Sequence, residues 1–349
     1  MDLIIRPMKS DEVGQLKALC RRAFGLEGLL TPKPKIGLVA VYDEKIVGGF
    51  NYTVHQCKDK KVGVVDLLYT DPNFQGAGIG KRLCEEGLNY LWKNEGCNLL
   101  ITFVRGDNAA SWGIFEKNGF VRADLLRSVE LVGLADTLKL HIKTMYGLAP
   151  GHDFYLALKD NQDASHYSKN EGINQVAVYL AVNIVFAAMV LLQWGNAVIT
   201  AAALGFVLLG GIIAGYIGTL FSKRKWKFRM TSGGWVISIL VSTLIRNCFP
   251  MIGGWYPERY ENSSAFKRDM AVTTMFRWAF MLAVPAINLL FGTEAVFMSF
   301  ASAFASFFLI IKCIPIPTFD SFGGWRVFAW NKAAFGLFAA ISILLVFVL

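Results

Sequence analysis

The sequence predicts two structural classes in one chain. Residues 1–160 read as a mixed α/β domain with flanking helices, and residues 173–349 as an α-helical polytopic membrane domain of five or six spans. A polar linker at 161–172, rich in Asn, Ser, Lys and Glu, joins them. Three observations predict this division. Charged residues are dense up to about Gly172 and sparse after Ile173. The first part shows short strand and helix patterns in mixed order, with a glycine-rich turn between a strand and a helix. The second part holds apolar runs close to the roughly 20 residues a helix needs to cross a bilayer.

Leu3 to Arg6 reads as a short strand. A helix opens near Ser10 or Asp11, with Val13, Leu16, Leu19, Cys20 and Phe24 on one face. Ile36 to Tyr42 and Lys45 to His55 are β-branched and aromatic, and Asp43-Glu44 between them suits a hairpin. Val62 to Thr70 is a further strand, ended by the turn Asp71-Pro72-Asn73-Phe74. A helix over Lys81 to Lys93 follows, with Leu83, Cys84, Leu88, Leu91 and Trp92 at helical spacing. Leu99 to Val104, Leu126 to Val132 and Phe154 to Lys159 read as strands, and 135–146 as a helix.

Between the fourth strand and its helix stands Gln75-Gly76-Ala77-Gly78-Ile79-Gly80. Glycines let a backbone approach an anion closely, and a helix N-terminus adds outward N–H groups and partial positive charge. A pyrophosphate suits such a turn, with Lys81 and Arg82 at its rim or simply solvated. A dinucleotide-binding fold places its glycines after the first strand, so the position after the fourth argues against that fold.

The order and the residues together resemble the GNAT acetyltransferase family over roughly residues 1–160. Gln75, Gly78 and Gly80 match its Gln/Arg-x-x-Gly-x-Gly/Ala signature. The segment from Asn108 to Phe120, with Glu116-Lys117-Asn118-Gly119-Phe120, resembles its Asn-x-x-Ala-x-x-x-Tyr-Glu-Lys-x-Gly-Phe. In that family the fourth and fifth strands splay and the pantetheine arm of acetyl-CoA lies between them. The resemblance thus implies acetyl-CoA as co-substrate. Leu68, Tyr69 and Thr70 would lie along the arm, and Gln75, Gly76, Ala77, Gly78, Ile79, Gly80 and Lys81 around the pyrophosphate. Asn108 would touch the cofactor, cap the next helix, or do both.

Acyl transfer to an amine needs a base for the ammonium, a donor for the tetrahedral oxyanion and help for the leaving thiolate. Some family members carry a base where Asp66 stands, so Asp66 is either that catalytic group or an ordinary surface or salt-bridged aspartate. The family's usual acid, the tyrosine of Tyr-Glu-Lys, is Phe115 here. That departure opens a second possibility, a binding-only acyl-CoA sensor. His55 and His141 are proton-relay candidates or structural histidines.

Apolar segments run from Ile173 to Trp194, Ala197 to Phe221, Met230 to Phe249, Ala271 to Phe291, Ala295 to Ile311 and Ala333 to Leu349. The net charge of +9 includes the cluster Lys223, Arg224, Lys225, Lys227 and Arg229. Between apolar segments such a cluster marks a cytoplasmic loop rather than a nucleic-acid site, and no nucleic-acid motif accompanies it. Two spans precede it, so the N-terminal domain is expected on the same side, with membrane lipid as a partner. The N-terminus, Met1 to Lys9, lacks a signal-peptide core. The six cysteines are scattered, as expected of reduced, buried thiols.

The glycines of the second segment, Gly205 to Gly218, predict close helix packing. The pieces Lys227 to Met230, Phe249 to Tyr256 and Pro315 to Asp320 resemble the site-2 protease family of intramembrane zinc peptidases. Asp320 stands where that family has a zinc-binding aspartate, but Lys312, Thr318 and Ser321 depart from the surrounding motif. The family's two zinc histidines would fall at Gly211 and Gly215, and no histidine follows His166. The resemblance therefore implies a relative without its metal: no zinc site is expected, and the half is read as a pseudoprotease. Arg246, Arg277, Glu294, Lys312 and Asp320 are its charged candidates. Asp320 with Lys312 is the pair of first interest, either functional or holding a turn. The whole reads as a membrane-anchored N-acetyltransferase acting on a primary amine, small molecule, peptide or lipid-linked, at the cytoplasmic membrane face.

Overall fold

Strand register organises the N-terminal part. The computed structural model describes residues 3–25, 28, 31, 34–123, 125–159, 163–169, 172–191, 196–259, 261, 263–291, 295–320 and 322–348. Strands β1 (Leu3–Pro7), β2 (Gly37–Tyr42), β3 (Lys45–Cys57) and β4 (Lys60–Thr70) are antiparallel neighbours. The turn between β2 and β3 places Asp43 and Glu44 at positive φ, as a tight hairpin requires. β5 (Leu99–Arg105) joins β4 in parallel. With β6 (Val121–Ala123) and β7 (His152–Leu158) they form one seven-stranded sheet, in the order β1-β2-β3-β4-β5-β7-β6.

Period-two alternation sends β3 and β4 side chains to opposite faces. On one face α1 (Val13–Phe24) buries Leu16, Leu19 and Cys20 with Val39, Leu67 and Tyr69. On the other, α2 (Ile79–Lys93) lies close because Gly87 has no side chain; a Cβ there would meet the Phe50 ring at 2.6 Å. Each fully buried leucine contributes about 2 kcal/mol. Two helices precede β7, α4 (Leu125–Val132) and α5 (Leu134–Lys143), after α3 (Ala109–Lys117). The expected strand over Leu126 to Val132 is thus a helix. Its buried residues, Ser128 and Val132, are four apart, and Ser128 meets Thr137 Oγ1 at 3.1 Å.

The chain divides into two compact units. The first holds Met1–Val104, Ser111–Leu148 and Asp153–Lys169; the second holds Arg105–Ala110, Ala149–His152 and Asn170–Leu349. Within the expected linker, Lys169 is buried in the first unit, its amine 3.7 Å from Asp153 and its N–H donating to the Arg122 carbonyl.

The second unit is helical: α6 (Ile173–Leu191), α7 (Ala197–Thr219), α8 (Trp235–Ile245), α9 (Ser264–Phe291), α10 (Val296–Lys312), α11 (Trp325–Trp330) and α12 (Lys332–Val348). A two-stranded sheet pairs β8 (Trp226–Met230) with β9 (Gly253–Pro257). Among the described residues, α7 and α9 are long and apolar enough to cross a membrane, while the other apolar helices are shorter. Four of the five glycines of α7 pack closely, and Gly205 does not: a Cβ at Gly218 would come within 2.8 Å of the Thr273 backbone on α9, while one at Gly205 would meet nothing within 4 Å.

The expected third span, Met230 to Phe249, is not one helix. It starts on β8 and contains only α8, whose 11 residues reach about 16 Å. The antiparallel ladder Trp226↔Pro257 to Met230↔Gly253 also brings the two ends of this region side by side. Glu294, Ser321 and part of the linker lie outside the described residues.

Candidate functional sites

The first site is built on β4. Its ladder with β3 runs Asn51↔Leu67 and then Tyr52↔Val65, so Asp66 is the extra residue of a β-bulge. A bulge leaves one residue unpaired and re-aims its side chain. Asp66 is half-buried, with a hydrogen bond to the Thr53 side chain. Burial pushes its carboxyl up to about 7, although the Thr53 hydroxyl pulls the other way. A carboxylic acid with that poise exchanges protons near neutral pH. Thr53 Oγ1 is also 3.2 Å from His55 Nε2. Burial first, then Lys143 and Lys139, holds the His55 imidazole below its usual range. Asp66, Thr53 and His55 thus form one hydrogen-bonded chain. His141 is not part of it. Its Nδ1 lies 2.9 Å from the Thr137 carbonyl oxygen, and its ring stacks on Phe154 inside the core.

Directly beside the bulge the sheet opens. Parallel pairing of β4 with β5 covers Val62↔Leu99 to Val65↔Thr102 and stops. Thr102 Oγ1 donates to the Val65 carbonyl at 3.0 Å and closes the ladder. Beyond it Leu67, Leu68, Tyr69 and Thr70 keep β3 on one side, and their other edge carries no β5 partner. An extended amide chain can pair with such an edge.

Past Thr70 the chain turns through Gln75, Gly76 and Ala77, all exposed. Gly76 and Gly78 have φ of +86° and +76° with no atom within 4 Å of a built Cβ, so conformation rather than space requires glycine there. The first bond of α2 runs from Arg82 N to the Gly78 carbonyl. The N–H groups of Gly78, Ile79, Gly80 and Lys81 therefore have no acceptor inside the helix. Gly80 sits under Thr70, whose Oγ1 would be 3.2 Å from a Cβ. Lys81 is exposed and 3.7 Å from Glu85. Such N–H groups at the end of an open strand edge form a candidate anion cradle. The expected Asn108 directly precedes α3 and belongs to the second unit. Phe115 is buried on α3, its ring 5.1 Å from that of Phe120.

The second site surrounds Asp320. The expected Asp320–Lys312 pair does not form. Asp320 is fully buried and held by two bonds from Arg326, Nε to Oδ1 at 2.7 Å and Nη2 to Oδ2 at 2.9 Å. Tyr256 donates its hydroxyl to the same carboxylate, and the Arg326 guanidinium lies 4.5 Å from the Tyr256 ring. Lys312 donates instead to the Phe322 carbonyl at 3.0 Å. Arg277, another of the charged candidates, is buried and donates to the Gly253 carbonyl and to Tyr179. Arg246 is exposed at the end of α8. Among the described residues no group of three or more His, Cys, Asp or Glu could hold a metal.

Two of these residues escaped sequence reading. Thr53 reaches Asp66 only because of the bulge, which leaves no mark in a strand pattern. Arg326 stands six residues beyond Asp320, across a turn whose geometry puts Asp320 at φ +39°.

Comparison with known proteins places the first unit. Residues 9–120 match the acetyltransferase (GNAT) family. The chain is 39% identical over 80 residues to the mycothiol acetyltransferase of Amycolatopsis mediterranei, covering 21% of this chain and 26% of that one. It is 36% identical over 86 residues to that of Rhodococcus opacus, covering 24% and 28%. The match thus spans about a quarter of the length of these relatives. Among solved structures, an acetyltransferase of the GNAT family from Streptococcus pneumoniae aligns with TM-score 0.31 and 22% identity, over 35% of this chain and 86% of that one. A PaiA N-acetyltransferase from Thermoplasma acidophilum, in complex with coenzyme A, aligns with TM-score 0.33 and 16% identity, over 45% and 99%. The N-terminal region is a GNAT acetyltransferase domain.

Proposed function

We propose that the protein is a membrane-anchored N-acetyltransferase that moves an acetyl group from acetyl-CoA to a primary amine at the cytoplasmic membrane face. The observation that carries this reading is Asp66: a carboxyl poised near neutrality on a bulge, beside the unpaired edge of β4. The edge from Leu68 to Thr70 suits the pantetheine amides, and the N–H groups from Gly78 to Lys81 suit the pyrophosphate. Acetyl-CoA supplies the thioester. Asp66 takes a proton from the acceptor ammonium, and Thr53 holds the carboxylate in place by donating to it. His55 at the other end of the chain gives that proton a route outward. Release of free thiol from acetyl-CoA with a panel of amines tests the reading. No thiol release with any amine would leave acetyl-CoA binding without turnover, the sensor reading that Phe115 favours.

The second unit is read as the anchor. Five apolar helices, α6, α7, α9, α10 and α12, are its candidate spans, with α8 entering and leaving from one side. Large apolar side chains such as Ile213, Leu344 and Phe347 are exposed at 51%, 68% and 86%, a surface that lipid would cover. Basic residues follow α7 and open α9, which orients both ends toward the cytoplasm. Labelling of single cysteines at Ser222 and near the N-terminus from outside intact cells tests the topology; labelling of either overturns it. The same unit is read as a pseudoprotease. With Arg326 and Tyr256 on its oxygens, Asp320 has little capacity left for a metal.

A further inference from the structure

We infer that the second unit holds a binding site for the phosphate headgroup of an anionic membrane lipid, in the basic cavity where α7 ends and α9 begins. The inference rests on the reading of this unit as membrane-embedded and adds a ligand to it.

The cavity has a volume of about 680 Å³. Its walls carry five cationic side chains, Lys223, Arg224, Lys225, Arg259 and Arg268, against three carboxylates. The carboxylates are engaged. Glu261 and Asp269 both accept from Arg224, at 2.8 and 3.0 Å, and Asp269 also accepts from Arg268 at 3.1 Å. Glu258 faces Lys227 at 3.5 Å. Lys223, Lys225 and Arg259 have no carboxylate within ion-pair distance among the described residues. Three uncompensated cations therefore converge on one concave surface. Arg224 is fixed beneath them, stacked 5.2 Å from the Phe266 ring. Lysine and arginine side chains that have no carboxylate partner of their own suit a phosphate, since each ammonium and guanidinium is a donor to anionic oxygen.

The apolar rim decides which phosphate. Leu220 and Phe221, separated from Lys223 by Ser222 alone, are exposed at 65% and 67%. Phe221 leans on Phe276 of α9, with ring centroids 5.1 Å apart. The cations thus sit at the ends of the two helices long and apolar enough to cross a membrane, directly above exposed aromatic and aliphatic side chains. A soluble phosphate would use the cations and leave those side chains in water. A lipid uses both, with its phosphate in the cavity and its acyl chains along α7 and α9.

The test uses the full chain in detergent, titrated with phosphatidylglycerol, phosphatidylcholine of the same acyl chains, or inorganic phosphate, with bound lipid counted by native mass spectrometry. Each basic side chain near an anionic surface is worth about a fivefold preference. The expected result is phosphatidylglycerol bound about tenfold or more tightly than phosphatidylcholine, with no displacement by inorganic phosphate. Changing Lys223, Lys225 and Arg259 to Gln together should remove the preference. The same charge removed from the exposed Lys9, Lys45 and Lys93 should leave it intact. The single variant Lys225→Glu should weaken the preference if the triple variant does not fold. Equal binding of the two lipids, a preference that survives both sets of changes in the cavity, or displacement by inorganic phosphate would each overturn the site. Extraction of the protein from membranes by carbonate alone would instead remove the membrane reading, and the lipid site with it.

Discussion

Asp66 and Asp320 are the same functional group on the two units, and their surroundings separate what each can do. Asp66 has one hydroxyl partner, Thr53, and lies beside a strand edge without a partner. Asp320 is fully buried and receives a guanidinium on both oxygens as well as the Tyr256 hydroxyl. A buried carboxyl with little compensation keeps its proton more easily and can exchange it near pH 7. One saturated by Arg and Tyr is a structural joint between the segment after α10, α11 and β9. A motif match at an aspartate therefore indicates position, while its donors decide between reagent and brace.

Exchanging the properties of the two aspartates should break this comparison most severely at Asp66. Asp66→Asn keeps the Thr53 contact but removes the base, so turnover should fall about 10²- to 10⁴-fold. Binding of acetyl-CoA should stay within about twofold, because the base acts on the amine. In the wild type, turnover should rise with pH through about 7, since the active form is the deprotonated carboxyl. The sign for stability is opposite. A carboxyl raised in the folded state favours folding when protonated, so its contribution is lost as pH rises through about 7, and Asp66→Asn should melt higher at pH 8. Equal saturating turnover of variant and wild type would remove Asp66 from the chemistry.

At Asp320 the expected loss is of structure. Arg326→Met leaves a buried carboxylate without its counter-ion and should cost about 3–5 kcal/mol, read as a lowered melting point in detergent. Combining it with Asp320→Asn should recover part of that loss, because the uncompensated charge is gone. Neither protein should carry zinc by elemental analysis. One zinc per wild-type chain, lost on Asp320→Ala, would show a metal site and end the pseudoprotease reading.

A smaller effect belongs to the anion cradle. Gly78 takes φ +76°, which costs an ordinary residue about 1–2 kcal/mol, and a carboxylate there would face the phosphate. Gly78→Glu should weaken acetyl-CoA binding about tenfold to a hundredfold by calorimetry. Unchanged affinity would move the pyrophosphate elsewhere.

What was legible in the sequence was whatever a local pattern encodes. Gln75 to Gly80 announced a strand, turn and helix because glycine takes the positive φ at 76 and 78 without the cost that other residues bear. The β-branched and aromatic runs on either side of Asp43-Glu44 indicated the hairpin of β2 and β3. The segment 126–132 misled because its apolar residues, Leu126, Val129, Leu131 and Val132, follow no single period, while the tertiary setting buries Ser128 and Val132 on one helical face. Met230 to Phe249 misled because apolar composition cannot distinguish a span from a strand, a short helix and a loop buried in protein. The bulge at Asp66 and the Arg326 partner of Asp320 were invisible because both depend on register and turn geometry rather than composition.

The smallest predicted effect tests whether this domain needs an acid at all. Phe115 occupies the position where the resembled family carries tyrosine, and it is buried against Phe120. Phe115→Tyr adds one hydroxyl to a closed aromatic contact. If leaving-group protonation limits turnover, the added donor should raise it, by less than about tenfold, because a misplaced or partly desolvated hydroxyl offsets part of its own contribution. The gain should vanish at pH above the range in which a phenol keeps its proton, about 10, which a change in packing would not mimic. If turnover is unchanged while the fold holds, the thiolate leaves without an acid, and the work of the site rests on Asp66 and the open edge of β4. If turnover falls, the apolar pair of Phe115 and Phe120 is needed to shape the gap beside β5. Measuring turnover against pH for wild type and variant, with acetyl-CoA affinity as the control on folding, separates the three.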